Sequence, residues 1–445
     1  MFSVRSNSIA MLVLVTFGGA ALHACGDDKA KPSGDTNSEV LPNGRSFLLA
    51  ARAEAYDATA LRPWTASLAS LTLPPQAPAD GDVAPLPPAH PVEALIIPLD
   101  TIGIPWSAFS GPDNRPTELP AAWLAQVENM EALVLQAGLP VVLAISPLSP
   151  EYDTLAPDAR DESGALVLNS AWRPYCYDPS ADGNPIKYRD QFAGFARWAA
   201  ERFKPQSIIV AQRLNLYEAT CGATAYGALV DFAGEAARRI AASAALSIKP
   251  TTIASLDVED LYGFPKKDGR CQSGTAADCL ATRKALIATL EASDVAVVGL
   301  ESYPANAFAD AAAIPGNWLS QVLAATTKPT AITSAELPAM PLDTPKGVCT
   351  QLLSSNEAQQ RAFLDQVLAA GDAREMSLVA WRHLLDLQPA DIISSCPCAG
   401  DFALCSHLDG LGSKRDERRL MLVGGLGTAT VERQALTVWK ALLAP

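Results

Sequence analysis

Histidine is nearly missing from this chain: 445 residues carry four, His23, His90, His383 and His407. That speaks against a metal centre built on several imidazoles, and it leaves a Ser-His-acid hydrolase few bases to draw on. Positive charge is short as well, with 34 Lys and Arg against 48 Asp and Glu and a formal charge of −14. No basic block interrupts the acidic balance. This argues against a nucleic-acid partner and against an electrostatic grip on anionic lipid. No Gly-rich phosphate loop opens a helix after the first candidate strand, and no repeat recurs at solenoid spacing. No cofactor is expected. Any chemistry falls to carboxylates.

What the chain does have begins at its N-terminus. One basic residue, Arg5, precedes the apolar run from Ile9 to Leu22, which is followed by Leu22-His23-Ala24-Cys25. A positive start, a short apolar stretch and a small residue before the cut describe a secretory signal. The run falls short of the about 20 residues that span a bilayer. Leu-x-Ala-Cys resembles a bacterial lipobox, although His23 is an uncommon occupant. That resemblance implies acylation of Cys25, which becomes the first residue of an exported protein anchored in the cell envelope, at the outer membrane or cell surface. Membrane contact is then through the lipid only. A plain cleaved signal with a chance cysteine is the other reading. From Gly26 to Gly44 the chain is polar and without apolar periodicity, as a tether would be. The expected organisation is signal at residues 1–24, tether at 25–44 and one large domain at 45–445.

Setting Cys25 aside leaves eight cysteines of the nine. An even set in an oxidising compartment reads as disulfides. Cys271–Cys279 would close a polar insertion, and Cys176–Cys221 would join neighbouring loops. Cys396-Pro397-Cys398 with Cys405 lacks the spacing of a zinc site, so disulfides are favoured there over zinc and no metal is assigned.

Short Val/Ile/Leu/Ala-rich runs alternate with helical patterns. Strand candidates are Ser46–Ala51, Ala94–Leu99, Val141–Ser146, Ser207–Arg213, Thr252–Leu256, Val295–Leu300, Thr330–Ser334 and Ser377–Trp381. Helical patterns at Pro120–Gln136, Tyr188–Phe203, Leu229–Ala244, Ala281–Ala292, Gly316–Ala325, Glu357–Ala370 and Val431–Leu443 fall between or after them. Eight such strands imply an α/β protein, a (β/α)8 TIM barrel with Cys-rich loop insertions, with a doubly wound open sheet as the runner-up. The Pro-rich stretch 74–91 and the Cys-rich stretch 384–419 interrupt the alternation.

Reacting groups of such barrels sit at the C-terminal strand ends. Three of those ends carry the motifs. Strand four reads on through Gln212, Arg213, Asn215 and Tyr217 to Glu218; strand six is Gly299-Leu300-Glu301-Ser302-Tyr303-Pro304; strand seven runs from Lys328-Pro329 to Ser334 and Glu336. Here the chain resembles the (β/α)8-barrel retaining glycoside hydrolases, nearest in feel to the endo-β-1,4-galactanases, over roughly residues 94–381. The resemblance implies Glu218 as acid/base and Glu336 as nucleophile, with Tyr303 donating to Glu336. It places Trp381 under the sugar, with Asn215 and Tyr217 beside it. Two positions depart from the pattern: Tyr217 stands where Asn usually precedes the acid/base, and Ser334 where the strand-seven glutamate usually falls. Trp106, Trp172 and Tyr175 suit a sugar-lined cleft. Glu301, Asp257 and Asp386 read as structural carboxylates.

Three functions follow. The first is a surface-anchored retaining hydrolase of a β-linked polysaccharide. The second is a non-catalytic lipoprotein whose degenerate barrel binds glycan or serves as a scaffold. The third is a hydrolase using His383 and Asp386.

Overall fold

The computed structural model describes residues 45–52, 92–149, 152–169, 176–177, 186–264, 276–340, 342–344, 350–384, 426 and 433–443. The signal, the tether and Cys25 lie outside them, as do Trp172, Tyr175, Asp386 and the cysteines at 271, 349, 396, 398 and 405.

Each apolar run forms a strand because each is short, lacks internal Pro or Gly breaks in most cases, and can be buried on both faces. The barrel strands are β1 (Leu48–Arg52), β2 (Ala94–Pro98), β3 (Val141–Ala144), β6 (Ser207–Ala211), β7 (Thr251–Asp257), β8 (Val297–Ser302), β9 (Thr330–Ala335) and β12 (Leu378–Trp381). They pair in that order, all parallel, and β12 closes onto β1. This is a (β/α)8 barrel. Two hairpins that the alternation does not signal stand on its loops: β4 (Asp158–Glu162) with β5 (Ala165–Asn169) after β3, and β10 (Leu342–Thr344) with β11 (Thr350–Leu353) after β9.

The helices are α1 (Ala121–Ala137), α2 (Ile186–Phe203), α3 (Leu214–Ala242), the single turn α4 (Val258–Leu261), α5 (Ala276–Glu291), α6 (Trp318–Leu323), α7 (Glu357–Ala373) and α8 (Gln434–Leu443). Gly138 ends α1 in the left-handed conformation, its N–H returning to Val134 O, as the Ala-Gly-Leu-Pro stop predicts. Among the described residues no helix is long and apolar enough to cross a membrane.

Two apolar layers result. Ala50, Ile96, Val142, Ile209, Ile253 and Leu378 belong to the cluster inside the barrel. A larger shell, including Leu49, Leu95, Leu143, Val298, Val379 and Trp381, lies between strands and helices. Burying each Val, Leu or Ile fully contributes about 1.5–3 kcal/mol. Every second strand residue belongs to one layer or the other, and that parity fixes what reaches the mouth.

Strand four departs from the sequence reading. It ends at Ala211, Arg213 takes a left-handed φ of 49°, and the chain is helical from Leu214. Asn215, Tyr217 and Glu218 therefore sit on the first turns of α3, where residues three apart share a face, rather than on an alternating strand.

Candidate active site

Ala50 and Ala380 line the barrel interior, so Arg52 and Arg382, two residues further along, face inward at the C-terminal end. The same step from Val297 brings Glu301 inward on β8, and from Ile253 it brings Ser255 and Asp257 inward on β7. Gly299 makes room under Glu301. A Cβ there would meet Thr333 Cγ2 at 2.9 Å and both Ile253 Cγ2 and Ser255 Cβ at 3.0 Å.

The mouth is a layer of paired charges. Arg52 Nη2 donates to the two oxygens of Asp100 at 3.0 and 2.8 Å. Gln212 bridges the pair, accepting from Arg52 and donating to Asp100 at 2.8 Å. The left-handed turn at Arg213 brings its Nε to Asp257 at 2.9 Å. Glu301 accepts from Ser255 Oγ at 2.6 Å and from the Tyr303 hydroxyl at 3.1 Å, while that hydroxyl lies 2.7 Å from Ser334 Oγ. The Tyr303 ring carries two guanidiniums, Arg213 at 4.9 Å and Arg382 at 5.2 Å, and Arg213 also lies 5.3 Å from the ring of Tyr152. Rings and cations thus alternate across the mouth, each contact contributing about 0.5–2 kcal/mol.

Glu336 follows β9 directly, and its N–H continues the ladder to Ser302 O at 3.1 Å. Its side chain is wholly buried. Oε1 lies 2.8 Å from His383 Nδ1, a hydrogen bond in which an ionised carboxylate accepts and the Nδ1–H tautomer donates. Among the described residues Oε2 has no hydrogen-bond donor, and Arg382 Nη1 stands 3.9 Å from it.

Burial is the main electrostatic force here. It raises the Glu301 carboxyl, opposed by Arg213, Ser255, Arg52 and Tyr303. It pushes the Tyr303 phenol well above its ordinary range, helped by Glu301 and opposed by the two guanidiniums. Glu259, behind β8, rises to about 8 through burial and the neighbouring Asp257. Among the described residues no group of three or more His, Cys, Asp or Glu is arranged to hold a metal.

The residues expected at the site are distributed differently. Asn215 ties the start of α3 to the end of β7 and to α4: it donates to Asp257 O at 2.9 Å and Asp260 Oδ2 at 2.7 Å, and accepts from Asp257 N–H at 2.7 Å. Glu218, one helical turn on, pairs with Arg283 of α5 at 3.1 Å, and Arg283 also pairs with Asp260. Glu218 therefore faces the helix layer, while Glu336 is held by strand eight. None of the contacts just described joins the two. Tyr217 is buried and accepts from Tyr177 N–H. The Tyr303 hydroxyl hydrogen-bonds with Glu301 and Ser334 rather than with Glu336, because Glu301 lies opposite Ser334 in the β8–β9 register with Thr333 skipped. Trp381 packs against Phe363 of α7 at 6.1 Å, in the shell outside the barrel, since Ala380 takes the inward place. Trp106 is buried, donates to Ala156 O at 2.8 Å and packs edge-on against Tyr188 at 5.8 Å.

Searches of protein families and of characterised proteins return no match to this chain. Solved structures with a similar chain path include a β-glucosidase and a GH10 protein. A β-glucosidase from Thermotoga maritima, in complex with a calystegine derivative, is 12% identical, over 66% of this chain and 74% of that one, at a TM-score of 0.38. A GH10 structure from Paenibacillus barcinonensis is 9% identical, over 90% of this chain and 95% of that one, at 0.45. The barrel assignment rests on the strand order itself.

Three mouth residues carry no role in the family resemblance: Arg52, Arg213 and Arg382. The signal is present, because Arg52 ends strand one, Gln212-Arg213 directly follows strand four and Arg382 directly follows strand eight.

Proposed function

We propose that this barrel cleaves a β-linked polysaccharide with retention, with Glu336 as the nucleophile, in an exported protein held to the cell envelope through Cys25. The observation that carries the reading is the state of Glu336, one oxygen held by His383 and the other buried with no donor among the described residues. Leaving a buried acceptor unsatisfied costs about 1–3 kcal/mol, more for a charged group. Such orphans in a folded protein call for a role. A nucleophile has this form: one oxygen fixes its direction while the other is left to bond to the anomeric carbon. The position, just past the seventh strand, is where barrel chemistry collects. The family resemblance of the sequence implies Glu218 as the acid/base and an endo-β-1,4-galactanase-like substrate.

A second reading has its own observation. Glu218 is paired with Arg283 in the helix layer, as suits a barrel that binds glycan without cleaving it.

A panel of aryl β-glycosides, galactosides included, tests the first reading with the soluble domain and with Glu336→Gln. A 2-fluoro glycoside should leave its sugar on Glu336, visible as an added mass on the peptide that contains it. Glycan binding with no cleavage of any substrate would instead establish the second. The anchor is tested by Cys25→Ala, which should abolish incorporation of labelled fatty acid and release the protein from the membrane fraction.

A further inference from the structure

The hydroxyl of Tyr303 has one hydrogen and two neighbours that can take it, Glu301 Oε2 at 3.1 Å and Ser334 Oγ at 2.7 Å. Two arrangements satisfy all three groups. With Glu301 ionised, Ser334 donates to Tyr303 and Tyr303 donates to Glu301. With Glu301 protonated, Glu301 donates to Tyr303 and Tyr303 donates to Ser334. The other side of Glu301 stays the same in both. Ser255 Oγ accepts from Arg213 N–H at 2.9 Å, so its own hydrogen goes to Glu301 Oε1 at 2.6 Å. The two arrangements differ by one proton, stored on Glu301 and passed out at Ser334, two residues before Glu336.

Opposing influences act on Glu301. Burial favours the neutral acid, whereas Arg213 and Arg52 favour the anion. Asp257 is paired with Arg213 and so tempers that pull. Glu218, engaged with Arg283 in the helix layer, is poorly placed for the same work.

We propose that Glu301, Tyr303 and Ser334 form a proton relay that supplies the acid for glycan cleavage at Glu336, the role that the family resemblance implies for Glu218. The proposal rests on the glycosidase reading above. In the first half-reaction Glu336 Oε2 bonds to the anomeric carbon as the bond to the leaving oxygen breaks. Ser334 gives its proton to that oxygen, Tyr303 replaces it, and Glu301 replaces the proton of Tyr303 and is left as a carboxylate. In the second half, water attacks the anomeric carbon, Glu336 departs, and the water's proton returns by the same path to Glu301. Ser334 is the group that touches substrate; Tyr303 and Glu301 are positioning residues that act through it.

The test uses two glycosides of one sugar in the full chain. A 2,4-dinitrophenyl glycoside needs no acid to release its leaving group, and a phenyl glycoside does. General acid catalysis contributes about 100-fold or more, so Tyr303→Phe and Glu301→Gln should each lower phenyl glycoside turnover by about that factor. Dinitrophenyl turnover should change by no more than about three-fold, because its leaving group departs unassisted. Glu218→Gln, whatever it does to the two rates together, should not lower the phenyl rate selectively. Loss of stability alone would lower the two rates together, so their ratio separates the relay from a structural role. If Glu301→Gln does not fold, Ser334→Ala cuts the relay at its exit and leaves every ion pair in place. A wild-type ratio in Tyr303→Phe, or the selective loss appearing in Glu218→Gln, overturns the relay alone. A wild-type chain that cleaves neither substrate overturns the glycosidase reading and the relay with it.

Discussion

His383 and Glu336, both wholly buried, meet at 2.8 Å across the ends of the seventh and eighth barrel strands. The imidazole is the hydrogen-bond donor that holds the carboxylate, since Arg382 stands back at 3.9 Å. Changing His383 to Ala should therefore leave both oxygens of Glu336 buried without a donor and open a cavity beside them. An unsatisfied buried acceptor costs about 1–3 kcal/mol, so a loss of at least about 2 kcal/mol is expected. The midpoint of urea unfolding reads this directly. Glu336→Gln paired with His383→Ala should recover part of the loss, because an amide is cheaper to bury than a carboxylate.

Asn215 gives a second prediction, this one independent of any activity. Its amide makes three hydrogen bonds that tie the start of α3 to Asp257 and Asp260. Asn215→Ala should cost about 2–4 kcal/mol, since two or three buried groups lose a partner at once. Asn215→Asp should be at least as damaging although it is nearly the same size. It removes both N–H donors and sets a third carboxylate beside Asp257 and Asp260. Thermal melts of the two variants decide the order. A milder effect for Asp would show that shape, and not donation, is what the site needs.

The barrel was largely legible in the sequence, and the site much less so. All eight strands announce themselves, because a strand buried on both faces has to be a short apolar run. Inward parity is legible too: Ala380 precedes Trp381, so strict alternation from Leu378 sends the indole outward to Phe363. Two events break the parity and have no local signature. Leu214-Asn215-Leu216 alternates like a strand, yet the left-handed turn at Arg213 starts a helix there and carries Glu218 away from the mouth. Thr333 is skipped in the β8–β9 register, which sets Ser334 opposite Glu301 and gives Tyr303 its partners. Both depend on pairing between strands distant in sequence. The lipid anchor, the tether and most of the expected disulfides fall outside the described residues.

The Cys176–Cys221 bridge is one expectation that the described residues contain. It pins the segment after β5 to the first turns of α3, where Cys221 sits beside the helix break at Gly222. Its two ends are 45 residues apart in sequence. Closing a loop of that order stabilises a fold by about 2–4 kcal/mol, chiefly through the unfolded chain. A reducing agent should lower the melting temperature of the wild-type domain and leave that of a Cys176→Ser, Cys221→Ser double variant unchanged by this route. Cys279 is buried, and the partner expected for it, Cys271, lies outside the described residues, so the double variant isolates one bridge.

Glu259 makes stability depend on pH in a direction opposite to that of most carboxylates. Its side chain is buried behind β8, accepting from Ser302 Oγ at 2.7 Å, Tyr303 N–H at 2.8 Å and Trp318 Nε1 at 3.1 Å. Those three donors favour the anion. Burial and Asp257 outweigh them, and the carboxyl titrates at about 8 instead of its ordinary 4.5. Below about 4.5 the group is protonated in both folded and unfolded chains, so it sets no pH dependence there. Between about 4.5 and 8 the unfolded chain releases the proton that the folded chain keeps. The folded state is then the one that binds more protons, and its stability falls as pH rises through this window. Glu301, also raised by burial, adds to the same slope. Melting temperatures taken from pH 5 to pH 8 should therefore decline in the wild-type domain. Glu259→Gln cannot ionise, so it should flatten the decline whatever its effect on absolute stability. An unchanged slope in that variant would assign the titration to another group, with Glu301→Gln the next to measure.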